Sequence, residues 1–178
     1  MLDTLISSKT RIKLLLKFFL NSNTKAYLRS LEGEFGESSN AIRIELNRME
    51  EAGMLRSFLE GNRKMFQANT SHPLFREIHN ILIKNYGLDQ IISTVIDRLG
   101  DMEKVFLIGD FSRGVDSHII DLLFIGNIDK AYLLNLVERA EKLVARKIRY
   151  VIYHPSEATP ELLNQFEPAP LLLWAKEQ

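Results

Sequence analysis

Apolar residues recur at helical spacing through the first fifty residues, and the period then changes. Ile12, Leu15, Leu16, Phe19 and Leu20 form one stripe, which predicts a helix over Lys9–Leu20. The polar stretch Asn21-Ser-Asn-Thr24 breaks it, and a second helix is predicted from Lys25 to Phe35, with Leu28, Leu31 and Phe35 inward and Gly36 as its stop. Ser38-Ser39 offers an N-cap for a third helix whose stripe is Ile42, Leu46 and Met49, closed by Gly53. The period then shortens to that of strands. Met54–Leu59, a turn at Glu60-Gly61-Asn62, and Arg63–Ala68 predict a hairpin.

Two further amphipathic helices are predicted, over Pro73–Asn85 (Leu74, Ile78, Ile81, Leu82) and, beyond Gly87, over Leu88–Leu99 (Leu88, Ile91, Ile92, Val95, Ile96, Leu99). A strand at Val105–Ile108, a glycine turn, a strand at Ile119–Ile125, a helix at Lys130–Ala145 and a strand at Ile148–Tyr153 follow. These strands are short, apolar and β-branched, as buried strands are. A last helix starts after Pro160, and the tail after Phe166 reads as a surface segment available to a partner. The expected fold class is α+β in two domains: residues 1–72, connecting helices at 73–100, and residues 101–178.

Composition narrows the chemistry. An apolar fraction of 46% and a charged fraction of 26% are those of an ordinary globular chain. No cysteine is present, which removes disulfides, thiolate catalysis and Cys-ligated zinc. No apolar run approaches bilayer length, and the N-terminus lacks the basic start and apolar middle of a signal peptide, so no membrane association and a cytoplasmic location are expected. The net charge of zero is unevenly divided. Residues 1–72 hold 11 basic and 8 acidic residues, and the remainder hold 12 and 15.

Three helices followed by a hairpin is the winged helix-turn-helix order. With Ile42, Leu46 and Met49 inward, the outward positions of the third helix are Ser39, Asn40, Arg43 and Asn47. Arginine suits guanine and asparagine suits adenine, each through paired hydrogen bonds. Arg63 and Lys64 at the hairpin tip are placed for phosphate or the minor groove, and Lys25 and Arg29 are further phosphate candidates. Glu45, Glu50 and Glu51 dilute the basic face, so a single copy is expected to bind weakly and to act as a homodimer on double-stranded DNA. The N-terminal helix and the helices at 73–99 are the expected dimer surfaces. Ser39-Asn-Ala-Ile-Arg-Ile-Glu-Leu-Asn-Arg-Met-Glu-Glu-Ala-Gly-Met-Leu55 and Glu60-Gly-Asn-Arg-Lys-Met-Phe66 resemble the recognition helix and wing of the ArsR-like repressors, over roughly residues 5–82.

Residues 104–153 resemble the small nucleotidyltransferase domains related to DNA polymerase β. In that family a glycine-serine turn precedes a strand carrying two alternate aspartates that share divalent metals. Gly109, then Ser112, Arg113 and Gly114, then Asp121 match the pattern. Three positions depart from it. Asp110 replaces the serine, Ile119 replaces the first aspartate, and Lys147–Tyr153 supplies no carboxylate. Taking Asp121 as the first aspartate leaves Leu123 as the second, and the pair is still broken. Asp110, Asp116 and Asp121 together are the one set that could rebuild a metal site. Arg146-Lys-Ile-Arg-Tyr-Val-Ile-Tyr-His-Pro-Ser-Glu157 is similar to the corresponding stretch in proteins that fuse the two domains.

The resemblance thus implies no catalytic residue, no resident metal and no cofactor, with weak magnesium or nucleotide binding at Gly109–Asp121 left open. His72, His79, His118 and His154 show no ligand spacing, and no P-loop or Gly-x-Ser-x-Gly elbow is present. The aromatics Phe18, Phe19, Tyr27, Phe35, Phe58, Phe66 and Phe75 sit at packing positions. The expected function is a transcriptional regulator whose second domain oligomerises or senses a small-molecule or protein effector. The alternatives are an active nucleotidyltransferase and an antitoxin that binds a protein partner.

Overall fold

The computed structural model describes residues 1–176. The fold is mixed α+β and divides into two compact units, Met1–Asn85 and the residues from Tyr86 onward. No helix among the described residues is long and apolar enough to cross a membrane.

In the first unit, α1 (Leu2–Leu5) precedes α2 (Lys9–Leu15), which Ser8 caps by accepting from the Arg11 N–H at 3.2 Å. The helix predicted to Leu20 changes at Leu16 into a π-helical segment, Leu16–Leu20, buried at every position. The wider turn carries Lys17 into the interior, where its ammonium meets Glu34 at 2.8 Å. The imidazole of His79 donates from Nδ1 to the Phe19 carbonyl at 2.8 Å, satisfying one of the acceptors that a π segment leaves displaced.

The predicted helix over 25–35 begins later. Ala26–Tyr27 is extended (β1), and α3 covers Leu28–Phe35 and ends on Gly36 in the left-handed conformation. α4 spans Ser39–Glu51, with the Ser38 hydroxyl accepting from the Ala41 N–H at 3.3 Å. β2 (Leu55–Glu60) and β3 (Arg63–Ala68) form the hairpin, turning at Gly61, φ 60°. β1 adds to it in the order β1-β3-β2, with Ala26 opposite Phe66 and Tyr27 opposite Met65. The core beneath is Leu14, Phe18, Phe19, Leu31, Ile42, Leu46 and Met49. α5 (Phe75–Asn85) packs on the π segment through the Phe75 ring, 5.5 Å from that of Phe19. Of its predicted stripe only Leu82 is buried, and Leu74 and Ile81 stay exposed.

In the second unit the helix predicted over 88–99 is α6 (Leu88–Thr94) followed by a 3-10 turn at Ile96–Arg98, with Val95 at φ −104° between them. Leu88, Ile91, Val95 and Ile96 are buried, and α6 packs against α7 (Lys130–Val144). They are therefore unavailable as the dimer surface expected from the sequence. β4 (Met102–Ile108) pairs antiparallel with β5 (Ile119–Gly126), and α7 returns the chain to β6 (Lys147–Tyr153), parallel to β5. Asp129 caps α7 by accepting from the N–H groups of Ala131 and Tyr132. After the short α8 (Pro160–Leu163), the tail read as a free surface segment is instead β7 (Leu171–Ala175). It pairs antiparallel with β4 and completes the sheet β6-β5-β4-β7, with Trp174 opposite Val105 and Leu172 opposite Phe106.

Candidate functional site

A cleft of about 650 Å³ opens between α4, the start of α3 and the hairpin. The turn after Gly36 sets the direction in which α4 leaves α3, and Ile42, Leu46 and Met49 fix which side of α4 faces the core. One helical turn separates Arg43 from Asn47, so both project from the opposite side. Arg43 and Asn47 line the cleft from α4, Arg29 from α3, and Asn62, Arg63 and Lys64 from the hairpin. Tyr27 forms part of its wall and carries the Arg63 guanidinium 4.6 Å from its ring centroid. Four cations and no carboxylate thus line the cleft.

The remaining sequence-derived residues fall elsewhere. Asn40 is exposed on the first turn of α4 but does not line the cleft. The Ser39 hydroxyl donates to Glu32 on α3 and is turned toward its own chain. Lys25 lies over the ring of Phe58, 5.3 Å from its centroid. Glu45 was expected to dilute the basic face, but it is only 5% exposed. Its carboxylate faces inward to Arg11, at 2.8 and 3.3 Å, because α2 packs against this side of α4. Burial raises its pKa, while hydrogen bonds from Arg11 and Ser8 and the charges of Arg11 and Arg48 outweigh that, leaving the carboxyl below its usual range. Glu50 accepts from Lys64 at 2.6 Å and from Ser57, which also hold its carboxyl down. Lys64 therefore reaches the cleft with its charge balanced, whereas Arg29 and Arg43 have no ion-pair partner among the described residues.

The second unit gathers Gly109, Asp110, Ser112, Arg113, Gly114 and Asp121 at the end of β4 and the start of β5. Gly109 has φ +66°, and a Cβ there would lie 2.7 Å from Asp121 Oδ2, so the glycine is required by both conformation and contact. Ser112, buried, donates to the Gly109 carbonyl at 2.9 Å and holds the turn shut. Asp121 is opposite Ile108 on β4 and level with Arg149 on β6. Arg149 grips it with two hydrogen bonds, Nε to Oδ1 at 2.6 Å and Nη2 to Oδ2 at 2.9 Å.

The other aspartates are balanced in the same way. Asp110 pairs with Arg113 at 2.6 Å, and Asp116 with Arg146 at 2.7 Å. Arg146 also donates to the Ser117 carbonyl and lies over the rings of Tyr86 and Phe111, at 5.4 and 5.5 Å. Burial and the Asp116 charge push the Tyr86 hydroxyl up to about 12, against a smaller opposing effect of Arg146.

A divalent metal with its nucleotide does not fit these residues. Ile119 takes the alternate strand position on the side of Asp121, and a guanidinium covers both oxygens that a cation would need. Arg149 escaped the sequence reading. Its signal was a cation inside an otherwise apolar strand, two residues from the start of β6, as Asp121 is two residues from the start of β5.

No family model matches this chain, and no curated protein matches it either. Among solved structures, a complex of the tri-AMPylated Shewanella oneidensis HEPN toxin with the MNT antitoxin has a chain that aligns with 51% of this one, covering 71% of its own length at 16% identity and a TM-score of 0.38. Structures of the toxin–antitoxin pair MntA–HepT and of a mutant form give 16% and 18% identity, with TM-scores of 0.37 and 0.41. Each also spans 51% of this chain, covering 71% and 74% of the matched chains. A likeness this partial carries no functional argument.

Proposed function

We propose that this chain is a sequence-specific DNA-binding transcriptional regulator. Residues 1–72 form its winged helix-turn-helix reader, with α4 as recognition helix and the β2–β3 hairpin as wing. The observation that carries the reading is the cleft, where Arg43 and Asn47 on α4 converge with Arg29 and Arg63 and no carboxylate intrudes. A duplex presents that combination with what it selects: phosphates for the cations and base edges for one arginine and one asparagine a turn apart.

In this reading the second unit is a nucleotidyltransferase-like module that no longer performs transfer, and serves to join copies or to sense an effector. Each of its three aspartates near the glycine turn is spoken for by an arginine. The chain would act on DNA as a homodimer, so that one two-fold axis serves two half-sites.

Selection of a bound duplex from a random pool, followed by titration, tests the proposal. Arg43→Ala is expected to weaken the selected site by about 1–3 kcal/mol, roughly 5- to 150-fold, and to relax preference at one base pair. An equal loss on every duplex, or no binding at physiological salt, refutes it. A second reading is an antitoxin that holds a protein partner, the tail after Phe166 and the exposed side of the second unit offering it surface. Co-expression with the product of the adjacent gene separates the two: a stable complex with unselective DNA binding would favour the antitoxin.

A further inference from the structure

β6 is an edge of its sheet, yet its sequence is that of an interior strand. Tyr150, Val151, Ile152 and Tyr153 form an unbroken apolar run, and each is only half-buried. Their neighbours in register on β5, Leu122 to Ile125, are buried. Continuous apolar runs belong to strands covered on both sides. Edge strands are usually blunted by charge, proline or a bulge. The opposite edge has such devices: the register shifts between Val105 and Phe106, and Pro168 and Pro170 lie just before β7. β6 pairs with β5 without any shift and contains no proline. Its two cations are held on their own chain, Lys147 by Glu141 at 2.9 Å and Arg149 by Asp121.

The backbone points the same way. Lys147 N–H donates toward β5, to the His118 carbonyl at 3.0 Å. Ile148 N–H turns to the other side and is taken by the Glu141 carboxylate at 2.8 Å. Peptide groups alternate along a strand. The N–H and C=O of Tyr150 and Ile152 therefore face outward, with no partner among the described residues.

We propose that a second copy of this chain pairs with β6, antiparallel and centred on Val151, joining the two sheets into one. In that register Tyr150 lies opposite Ile152 of the second copy, and Ile152 opposite Tyr150. Each pair exchanges both of its N–H···O=C bonds, which uses every outward group of these residues and leaves the Ile148–Glu141 bond undisturbed. Arg149 meets Tyr153 of the second copy, and no like charges face each other. Shifting the centre to Tyr150 would set Ile148, whose N–H is already taken, against Ile152. Leu134 extends the apolar strip: it stands two helical turns before Glu141 on the same side of α7 and is 51% exposed. The pairing rests on the proposed homodimer but not on DNA, so its failure bears on how copies join and leaves the DNA contacts proposed for Arg43 and Asn47 untouched.

Sedimentation of the full chain without DNA tests it. The expected result is a species of twice the chain mass, whose dissociation constant rises at least ten-fold in Ile152→Pro and in Leu134→Lys. Proline at 152 removes an outward N–H and spares the bonds to β5, and Leu134→Lys provides the readout should the proline variant unfold. In the unaltered protein, the amides of Tyr150 and Ile152 should exchange slowly when concentrated and quickly when dilute. A monomer at all concentrations, fast exchange of both amides throughout, or a dimer indifferent to both substitutions overturns the proposal.

Discussion

Replacing Glu45 with glutamine probes what holds α4 in place. The carboxylate sits between α2 and α4, 5% exposed, and receives two hydrogen bonds from Arg11, with Arg48 at 3.6 Å. Breaking a fully buried ion pair costs about 3–5 kcal/mol. Here the Arg11 side chain is 38% exposed and Arg48 62%, so water takes over part of their solvation once the charge is gone. A hydrogen bond to a charged group contributes about 1.5–3 kcal/mol, and glutamine keeps one acceptor while turning an amide toward the guanidinium. The expected loss is about 2 kcal/mol, roughly 30-fold in the folding equilibrium.

Thermal melts followed by circular dichroism should show the first unit unfolding about 8–16 °C lower in the variant at pH 7, on the scale of 4–8 °C per kcal/mol for a unit of this size. The difference should also depend on pH. The folded-state pKa of Glu45 lies below the ordinary 4.5, so its stabilisation is complete above that value and is lost as pH falls through the folded value. The two proteins should therefore converge in acid. Melting temperatures within a degree or two at neutral pH, or a gap that stays constant into strong acid, would show that the pair contributes nothing net.

The remaining expectations concern Tyr86 and two glycines. The Tyr86 phenol should ionise at about 12 in an ultraviolet phenolate titration. Because its folded-state pKa is raised, stability should fall as pH climbs from about 10 to about 12, and a phenolate signal that Tyr86→Phe leaves unchanged in that range would contradict this. Gly87→Ala combines a positive φ of 73° with a Cβ only 2.7 Å from Val144 Cγ1, for an expected loss of about 2–4 kcal/mol in urea unfolding. Gly36→Ala, with φ 63° and open space around it, should lose only about 1 kcal/mol; equal losses would rule out the Val144 contact as the cause.

The parts of the fold that a sequence could disclose are those with local causes. α4 was legible because Ser38 caps it, Ile42, Leu46 and Met49 repeat at helical spacing, and Gly53 ends it with φ 72°. The hairpin was legible from Gly61. β1 was not, since two residues have no period, and Ala26 and Tyr27 are extended only because β3 lies beside them. The π turn at Leu16–Leu20 was hidden for the opposite reason: five consecutive buried residues carry no stripe that separates α from π. In the cleft, Arg43 and Asn47 followed from helix periodicity, whereas the inward turn of Glu45 depended on Arg11, 34 residues away. The Asp121–Arg149 pair likewise spans 28 residues and exists only through the parallel register of β5 and β6.

The way β7 closes its sheet has a temporal consequence. β4 and β5 are complete once Gly126 has been made, but the outer side of β4 stays uncovered until Leu171–Ala175 arrives, roughly 50 residues later. At ordinary synthesis rates of about 5–20 residues per second that interval lasts roughly 3–10 s. The first unit, whose strands all come from within its own sequence, can be finished before it begins. During elongation the nascent chain thus carries a folded head and a half-built sheet, and its last strand is what withdraws the unguarded edge from every other chain nearby.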